Sequence, residues 1–209
     1  MSINQLISKL LTKAGTWYMK NRLEISVNCS IGQGMESRGI PFIRVNKASS
    51  IRIGKNFILN NGERFNSIGR QEKCVFSIRA NAELTIGNNV GISSSTIFCN
   101  KEVTIGDNVK IGGNTCIYDT DFHSLDYEDR REKYYDVVNT KSKAVRIGND
   151  VFIGAHSTIL KGVTIGDRSI VGAGSVVTKS IPPDQIWGGN PAVFIKHISA
   201  LQTTVLKAM

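Results

Sequence analysis

The hydrophobic and polar positions between residues 147 and 182 repeat every six residues. Each of the six consecutive units begins with an aliphatic residue and has a small or β-branched residue in fifth place. The leading residues are Ile147, Ile153, Ile159, Ile165, Val171 and Val177. Because a period of six matches neither the period of about 3.6 of a helix nor the two-residue alternation of a long strand, each unit is predicted to be a short strand followed by a turn.

Turns of this kind stabilise one another only when they are stacked. One turn cannot bury its own aliphatic residues, whereas stacked turns form a continuous core at the usual strand spacing of about 4.8 Å. Gly148 and Gly166 follow the leading residues of their units, and Asn149, Asp150 and Asp167 come next. These residue types tolerate tight corners. The sequence therefore predicts an all-β solenoid in which the chain winds around an axis.

An Ile-Gly marker recurs along the chain and gives the length of one coil. It occurs at Ile31, Ile53, Ile68, Ile86, Ile105, Ile147 and Ile165. The spacings of 19 after Ile86 and of 18 after Ile147 each correspond to one coil of three units. The earlier gaps of 22 and 15 predict bulges or extra loops in the first coils. We expect about seven coils in total.

One interval between markers is much longer than a coil. Ile105 and Ile147 are 42 residues apart, which is 24 more than an 18-residue coil requires. The excess is predicted to form an extruded loop at about residues 119–144, dense in charge and tyrosine. Long loops on rigid scaffolds often carry binding and catalytic residues. We therefore expect function to concentrate in this loop.

The two ends of the chain differ from the solenoid. Residues 1–24 carry apolar side chains at helical spacing with lysines among the polar positions, which predicts an amphipathic helix. Such a helix either caps the open end of a solenoid or lies on an anionic membrane surface. Residues 25–197 form the predicted solenoid, and residues 198–209 a C-terminal tail with a short closing helix. Neither end resembles a separate domain.

Composition and charge narrow the class of protein. The 209 residues are 41% hydrophobic and 21% charged, and they contain neither a long apolar run nor a signal-peptide pattern. We therefore expect a folded cytoplasmic protein without stable membrane insertion. The net charge of +9 favours anionic partners, but the scattered lysines and arginines do not indicate a nucleic-acid partner. Four cysteines without a C-x-x-C pair predict reduced thiols and no metal site.

Several motifs resemble those of one known family. They are the in-phase hexapeptides, the VTIGD segments at 103–107 and 163–167, and the IPP and GNPA segments near the C-terminus. Together they resemble the hexapeptide-repeat acyltransferases, and most closely the sugar O-acetyltransferases of the maltose, galactoside and capsule- or lipopolysaccharide-modifying types. The resemblance implies a left-handed parallel β-helix with three hexapeptides per coil. It also implies a homotrimer with active sites between subunits and acetyl-CoA as the acyl donor.

His123 is the candidate catalytic residue. It lies at the base of the predicted loop, and it matches the histidine that deprotonates the acceptor in the resembling family. A neutral imidazole with an ordinary pKa of about 6.5 suits this task, and such general-base catalysis typically contributes about 10² to 10⁴ in rate. Asp119, Asp121 or a main-chain carbonyl could orient the ring, as in a catalytic triad. The sequence leaves the choice among them open.

The resemblance also assigns residues to the donor and the acceptor. The residues implied to contact the donor are Phe152, Gly154, Ala155, Ala173, Gly174, Thr178, Lys179 and Lys196. The small residues would let the pantetheine arm approach the backbone, and the lysines would neutralise phosphates. The candidates for the acceptor are Ser93, Ser95, Tyr127 and Arg130. The serines stand where maltose- and galactoside-type enzymes carry an asparagine, which weakens any case for those two sugars.

The favoured function is transfer of an acetyl group from acetyl-CoA to a hydroxyl of a saccharide, such as a cell-surface polysaccharide or its precursor. The alternatives are N-acylation of a nucleotide-linked aminosugar, O-acetylation of serine or an antibiotic, and a non-catalytic β-helix scaffold. A metal hydratase of the γ-carbonic-anhydrase type would require three zinc-binding histidines. His123, His156 and His197 occur in unlike settings without ligand spacing, which argues against it.

Overall fold

The computed structural model describes residues 2–66, 68 and 72–198. Its strands form three sheets. Sheet A contains β1 (Asn28–Ile31), β4 (Ser50–Ile53), β7 (Glu83–Ile86), β10 (Glu102–Ile105), β13 (Val145–Ile147) and β16 (Thr164–Ile165). Sheet B contains β2 (Glu36–Arg38), β5 (Ile58–Asn60), β8 (Gly91–Ser93), β11 (Lys110–Ile111), β14 (Phe152–Ile153), β17 (Ile170–Val171), β19 (Gln185–Gly188) and β20 (Val193–His197). Sheet C contains β3 (Phe42–Val45), β6 (Val75–Ile78), β9 (Thr96–Cys99), β12 (Cys116–Tyr118), β15 (Thr158–Ile159) and β18 (Val176–Val177).

The chain visits sheets A, B and C in turn, so that one strand from each makes one coil of a parallel β-helix. Over the described residues this order is completed six times, from β1–β3 to β16–β18. Part of a further coil follows, because Ile181 bridges Ile165 and β19 pairs with β17 in parallel. The strand β20 then folds back antiparallel on β19 and ends the parallel winding.

The predicted Ile-Gly markers from Ile86 onward stack directly on one another. In sheet A, Ile86 is paired with Ile105, Ile105 with Ile147, and Ile147 with Ile165. All four side chains are almost completely buried. The aliphatic residue of each repeat unit therefore points into the interior, where stacked coils cover it from both sides and hydrophobic burial stabilises the fold.

One of the predicted markers is wrong. Ile53 pairs directly with Ile86, 33 residues later, and Ile68 lies between the strands β5 and β6, outside any strand. Its side chain is exposed, and Gly69 lies outside the described residues. The physical reason is that an excursion interrupts this coil between sheets B and C, so Ile68 does not take part in the sheet A ladder.

Asn and Asp side chains hold the corners between sheets A and B. The backbone at Asn89, Asn108 and Asp150 has positive φ angles of 57°, 60° and 57°, a conformation that Asn and Asp adopt more readily than most residues. The side-chain amide of Asn89 donates to Asn108 at 3.1 Å, and that of Asn108 donates to Asp150 at 3.0 Å. Corner residues of successive coils thus bond to one another, which adds polar contacts to the apolar stacking.

A long helix covers the first coil. Helix α1 (Ile3–Leu23) begins at Ser2, whose side chain and backbone form a capping box with Gln5. It packs against β2 and β3, and it buries Gly15, Met19 and Leu23. Gly15 permits the close approach, because a Cβ there would collide with the carbonyl oxygen of Gly39. The helix lies over the first coil, where the solenoid core would otherwise meet water.

Between β12 and β13 the chain leaves the solenoid. This segment contains a single 3₁₀ turn (Asp129–Arg131) and a short helix, α2 (Lys133–Asn139). An isolated bridge between Thr120 and Ser142 joins the two ends of the excursion. We call residues 119–144, where the sequence predicts the catalytic residue, the catalytic-loop segment. The predicted C-terminal helix lies outside the described residues, and none of the helices that the structure describes is long and apolar enough to span a membrane.

Candidate functional site

The site is built on two edges of the solenoid that flank sheet C. Edge BC contains the corners 112–115, 154–157 and 172–175, which lead from sheet B into sheet C. Edge CA contains the catalytic-loop segment and the corners 160–163 and 178–180, which lead from sheet C back to sheet A. His123 therefore lies on edge CA, and the small residues predicted for the donor lie on edge BC. Within one chain, the width of sheet C separates them.

The catalytic-loop segment is anchored to the solenoid at its base. Asp121 and Lys161 form an ion pair of 2.7 Å, which joins the loop to the next corner of edge CA. The main-chain N–H of Lys143 donates to the carbonyl of Asp119 at 2.8 Å. These contacts hold both ends of the loop against one edge and so fix the direction in which it leaves the solenoid.

A carboxylate from α2 holds the ring of His123. The distance between Nδ1 of His123 and Oδ2 of Asp136 is 2.7 Å, and Oδ1 of Asp136 accepts the main-chain N–H of Ser124 at 2.7 Å. The contact with His123, followed by the Ser124 N–H, lowers the pKa of Asp136 below its ordinary value of 3.8. Asp136 is thus ionised near neutral pH and favours the tautomer in which Nδ1 carries the proton, leaving Nε2 as the acceptor.

Neither aspartate predicted to orient His123 is the residue that contacts it. Asp119 is fully buried and points toward the preceding coil, where its carboxylate accepts the main-chain N–H groups of Asn100, Lys101 and Glu102 at 2.6 to 2.8 Å. Burial raises the pKa of Asp119, and these hydrogen bonds oppose the rise. Asp121 pairs with Lys161 instead. Both residues shape the base of the loop.

Proximity in sequence was a poor guide to the partner of His123. Asp136 lies 13 residues downstream, in a loop where charged residues follow no period. Only the path of the loop through the 3₁₀ turn and α2 brings it back to His123. The segment DYEDRREKYYD offered several carboxylates, and no signal in the sequence distinguishes Asp136 from the others.

The residue before His123 has an unusual backbone conformation. Phe122 has a φ of 67°, which is rare for an aromatic residue and carries strain. Its ring packs against Phe98 at 4.6 Å and against Tyr118 at 5.1 Å between ring centroids. These aromatic contacts offset the strain. The turn at Phe122 is thus held in place directly before His123.

A groove runs beside this turn. It has a volume of about 270 Å³, and its lining includes Phe98, Phe122, Val137 and Arg79. Among the described residues, the guanidinium of Arg79 has no carboxylate within salt-bridge distance. A second cavity of about 330 Å³ shares Arg79 and adds Arg44. The surface next to the loop therefore combines aromatic side chains with cationic ones.

The residues predicted to contact the donor occupy several places. Gly154, Ala155, Ala173 and Gly174 meet on edge BC, where the N–H of Gly174 donates to the carbonyl of Ala155 at 2.8 Å. Gly154 itself is buried, and a Cβ there would lie 2.5 Å from the nitrogen of Ala173, so coil stacking requires this glycine. By contrast, Gly174 has a φ of 72° and nothing within 4 Å of a hypothetical Cβ.

The other predicted donor contacts lie outside that cluster. Phe152 is half-exposed on the outer face of β14. Thr178 and Lys179 lie on edge CA, the same edge as His123, and both are exposed. Lys196 is exposed in β20. A ligand that touches all of these residues must therefore extend along the last coils.

The residues predicted to bind the acceptor have local partners. Ser95 is buried and donates to the carbonyls of Ser93 and Gly112, so it stabilises its own corner. Arg130 donates to the carbonyl of Ser124 at 2.7 Å and holds the loop beside His123. Tyr127 is exposed, with Arg131 above its ring. The hydroxyl of Tyr127 donates to a carboxylate oxygen of Glu128 at 3.3 Å.

Neither the buried cysteines nor the acidic residues form a further reactive centre among the described residues. All four cysteines are free, and burial raises the pKa of Cys74 to about 12. Such a thiol is protonated at neutral pH and is a poor nucleophile. Within the described part of the chain, no group of three or more His, Cys, Asp or Glu residues is arranged to hold a metal ion. The His123–Asp136 pair is therefore the arrangement from which a reaction is best derived.

Comparisons with known proteins agree with the fold and the repeat. Residues 144–179 match the family model described as the hexapeptide repeat of succinyl-transferase. Over 77 residues, the chain is 56% identical to Protein CapG of Staphylococcus aureus. That match covers 37% of this chain and 44% of CapG, which is less than half of the relative's own length.

Two solved structures are similar over most of the chain. A hexapeptide-repeat acetyltransferase from Vibrio cholerae O1 biovar eltor, complexed with acetyl-CoA, is 27% identical with a TM-score of 0.50, and the match covers 94% of this chain and 83% of that one. A variant of AntD, an N-acyltransferase from Bacillus cereus in complex with dTDP and coenzyme A, is 25% identical with a TM-score of 0.57, and the match covers 86% and 89%.

The parallel sheets, the repeats and these similar structures fit a left-handed parallel β-helix. Hexapeptide repeats are matched over residues 144–179. Its resemblance to the hexapeptide-repeat acyltransferase family, indicated by the sequence, is confirmed.

Proposed function

We propose that the protein is an acyltransferase that moves an acetyl group from acetyl-CoA to a hydroxyl of a saccharide, with His123 as the general base. The observation that carries this proposal is the contact between His123 and Asp136 on the loop extruded from a hexapeptide-repeat solenoid. The similarity to an acetyltransferase complexed with acetyl-CoA supports the donor. The choice of a surface polysaccharide or its precursor follows from the resemblance of the sequence to capsule- and lipopolysaccharide-modifying acetyltransferases.

In this mechanism, Nε2 of His123 takes the proton of the acceptor hydroxyl as its oxygen attacks the thioester carbonyl. The new C–O bond forms, the C–S bond breaks, and the proton passes from His123 to the CoA thiolate. Asp136 stabilises the imidazolium that exists between these events. Because its lowered pKa keeps Asp136 ionised, the ring is held in the tautomer that begins the cycle.

The donor is proposed to lie between two copies of the chain. The small residues of edge BC and the histidine of edge CA are on opposite sides of sheet C, so one chain alone does not bring the thioester to His123. Packing edge BC of one subunit against edge CA of the next would join them. A homotrimer repeats that contact three times and closes on itself.

The acceptor is proposed to occupy the groove beside Phe122. The aromatic rings of Phe98 and Phe122 could pack against the apolar face of a sugar, and Arg79 could pair with an anionic substituent. Tyr127 on the rim of the loop supplies a further hydroxyl. Such a groove favours a saccharide that carries a phosphate or carboxylate group.

N-acylation of an aminosugar is the second candidate, because AntD, a structurally similar protein, is an N-acyltransferase. The two reactions differ in their need for a base. A hydroxyl is a weak nucleophile until its proton is removed, whereas a neutral amine attacks before it loses its proton. Dependence of the rate on His123 should therefore be stronger for O-acetylation.

A screen of acceptors tests the proposal. The purified protein is incubated with acetyl-CoA and a panel of neutral hexoses, anionic sugars, aminosugars and nucleotide-linked aminosugars, and the release of free thiol is measured. We expect acceptor-dependent release with anionic sugars, and the acetylated oxygen can be located by NMR. If the aminosugars react and the sugars without an amine do not, the function is N-acylation. Absence of thiol release across the whole panel contradicts the enzymatic proposal.

A further inference from the structure

Helix α1 presents an apolar stripe on the side that faces away from the solenoid. Ile3, Leu10 and Trp17 are 75%, 58% and 69% exposed, and Leu6 and Ile7 are also exposed. These residues recur at steps of three, four or seven, which places them on one face of a helix. The opposite face already buries its apolar residues against the first coil. The outer stripe therefore has no partner among the described residues.

The charge of the helix is entirely positive. Lys9, Lys13, Lys20 and Arg22 are its charged residues, and the segment Ile3–Leu23 contains no aspartate or glutamate. At about 3.6 residues per turn, the three lysines form a row along one border of the outer stripe, between it and the face packed on the solenoid. Long lysine side chains at such a border can reach phosphate groups while the apolar side chains enter a non-polar layer.

We propose that α1 is a docking helix that lays its outer stripe on a phospholipid surface rich in anionic headgroups. The stripe would enter the boundary of the acyl chains, Trp17 would lie at the level of the headgroups, and the lysine row would pair with their phosphates. Cationic charge beside an exposed apolar face complements such a surface. Pairing with a second copy of α1 is disfavoured, because it would bring two lysine rows together.

This inference is independent of the proposed chemistry. Helix α1 lies over the first coil, whereas His123 follows the last strand of the fourth coil. Docking would hold the solenoid at the membrane by the end that carries α1. It would bring the groove near saccharides that are attached to lipids.

Co-sedimentation with vesicles tests the proposal. The full chain is mixed with vesicles of phosphatidylcholine alone or of phosphatidylcholine with phosphatidylglycerol, and the bound fraction is measured. We expect binding to the anionic vesicles and at least about tenfold weaker binding to the neutral ones. Raising the salt from about 0.05 to about 0.5 M should weaken it further. Equal partition into both kinds of vesicle, or none into either, overturns the proposal.

Two matched variants show whether the stripe is responsible. Leu10→Glu puts a negative charge in the middle of the outer stripe. Val138→Glu puts the same charge on an exposed apolar residue of the catalytic-loop segment, away from the stripe. We expect Leu10→Glu to lose vesicle binding by about tenfold or more and Val138→Glu to retain it. Circular dichroism verifies that both variants are folded. Equal vesicle binding by Leu10→Glu and the wild type would overturn the proposal.

Two further measurements identify the contact. Replacing Lys9, Lys13 and Lys20 by Gln should abolish the preference for anionic vesicles while weak binding remains. Light scattering of Leu10→Glu without lipid should give the same mass as the wild type. A lower mass would mean that the outer stripe is covered by another copy of the chain, which would overturn docking on lipid. His123→Asn should bind vesicles normally, so failure of the proposed chemistry and failure of docking are distinguishable.

Discussion

At the scale of single residues, His123 differs from His156 in its surroundings. His123 has a carboxylate partner at 2.7 Å, whereas His156 occupies a corner with a φ of 63° and has no side-chain hydrogen bond among the described residues. The contrast explains why only one of them is expected to act as a base. It also makes the two residues a matched pair for mutation.

We predict that His123→Asn lowers kcat by about 10² to 10⁴ and leaves donor binding unchanged, because the base is lost but no donor contact is. His156→Asn is the control, since asparagine tolerates the left-handed backbone at that corner. Because His123 is left in place, this variant should retain most of kcat, and any effect on the donor edge should appear in KM. Steady-state kinetics and CoA titration measure the two quantities. Undiminished turnover in His123→Asn would rule out its role as base.

Asp136→Asn should lower kcat by about 10 to 10³, less than loss of the base itself, because the amide keeps one contact but removes the charge that stabilises the imidazolium. Asp126→Asn, on the same loop without contact to His123, is the control. The rate against pH separates positioning from simple loss of structure. Because Asp136→Asn removes a negative charge beside the imidazolium, it should shift the acidic limb of the profile toward lower pH, whereas a merely unfolded fraction would scale the rate equally at every pH.

The pH dependence of this contact has a defined sign. The folded-state pKa of Asp136 is below its ordinary value of 3.8, so its stabilisation of the loop is fully present above that value. It is lost only as the pH falls through the lower folded-state pKa. Protection of the Ser124 amide from hydrogen exchange should therefore be constant across neutral pH once corrected for the intrinsic exchange rate, and it should fall only in strong acid.

At the scale of elements, the catalytic-loop segment depends on how its base is fixed. Asp121 and Lys161 have side chains only 19% and 23% exposed, and the pair links the loop to the following coil. Removing one partner leaves a charge that is largely shielded from water, whereas removing both does not. The double substitution should therefore destabilise the loop base less than the single one does.

We predict that Lys161→Met destabilises the protein by about 1 to 3 kcal/mol, because Asp121 loses its counter-charge. Adding Asp121→Asn should restore part of that loss. Urea unfolding followed by circular dichroism measures the free energy of unfolding for the single and double variants. If the single and double variants are equally stable, the unpaired charge of Asp121 carries no cost. The loop is then held by its other contacts.

The elements also show what sequence can predict locally. The extruded loop was predicted from the long interval between Ile105 and Ile147, because a solenoid has a fixed coil length that any excess must leave. The partner of each side chain in the loop could not be predicted in this way, because the loop has no repeat. Asp119 and Asp121 are near His123 in sequence, yet backbone N–H groups and Lys161 engage them, and α2 supplies Asp136 instead.

At the scale of the whole molecule, the separation of edges BC and CA makes the assembly part of the proposed site. We predict that the protein in solution has the mass of three chains of 22.9 kDa each. Light scattering coupled to size-exclusion chromatography measures it. A stable monomer that transfers acetyl groups at full rate would contradict a donor site between subunits.

Donor binding should also be visible in the stability of the whole fold. CoA or acetyl-CoA at concentrations well above Kd should raise the Tm, since a ligand that binds the folded state stabilises it. Ala173→Trp should abolish the shift by filling edge BC, where the donor is proposed to approach the backbone. Thr164→Trp, on the outer face of sheet A in the same coils, is the control and should keep the shift.

The sequence by itself determined the solenoid, because a six-residue period allows the aliphatic side chains to be buried only by stacking coils. It also determined that a long excursion interrupts the winding after β12, because the interval between markers exceeds the fixed length of one coil. It did not determine that Ile68 lies outside the ladder, because a marker looks the same in a strand and in an excursion. The tertiary structure alone decided which carboxylate meets His123 and how far edge BC lies from it, because both depend on contacts between residues that are remote along the chain.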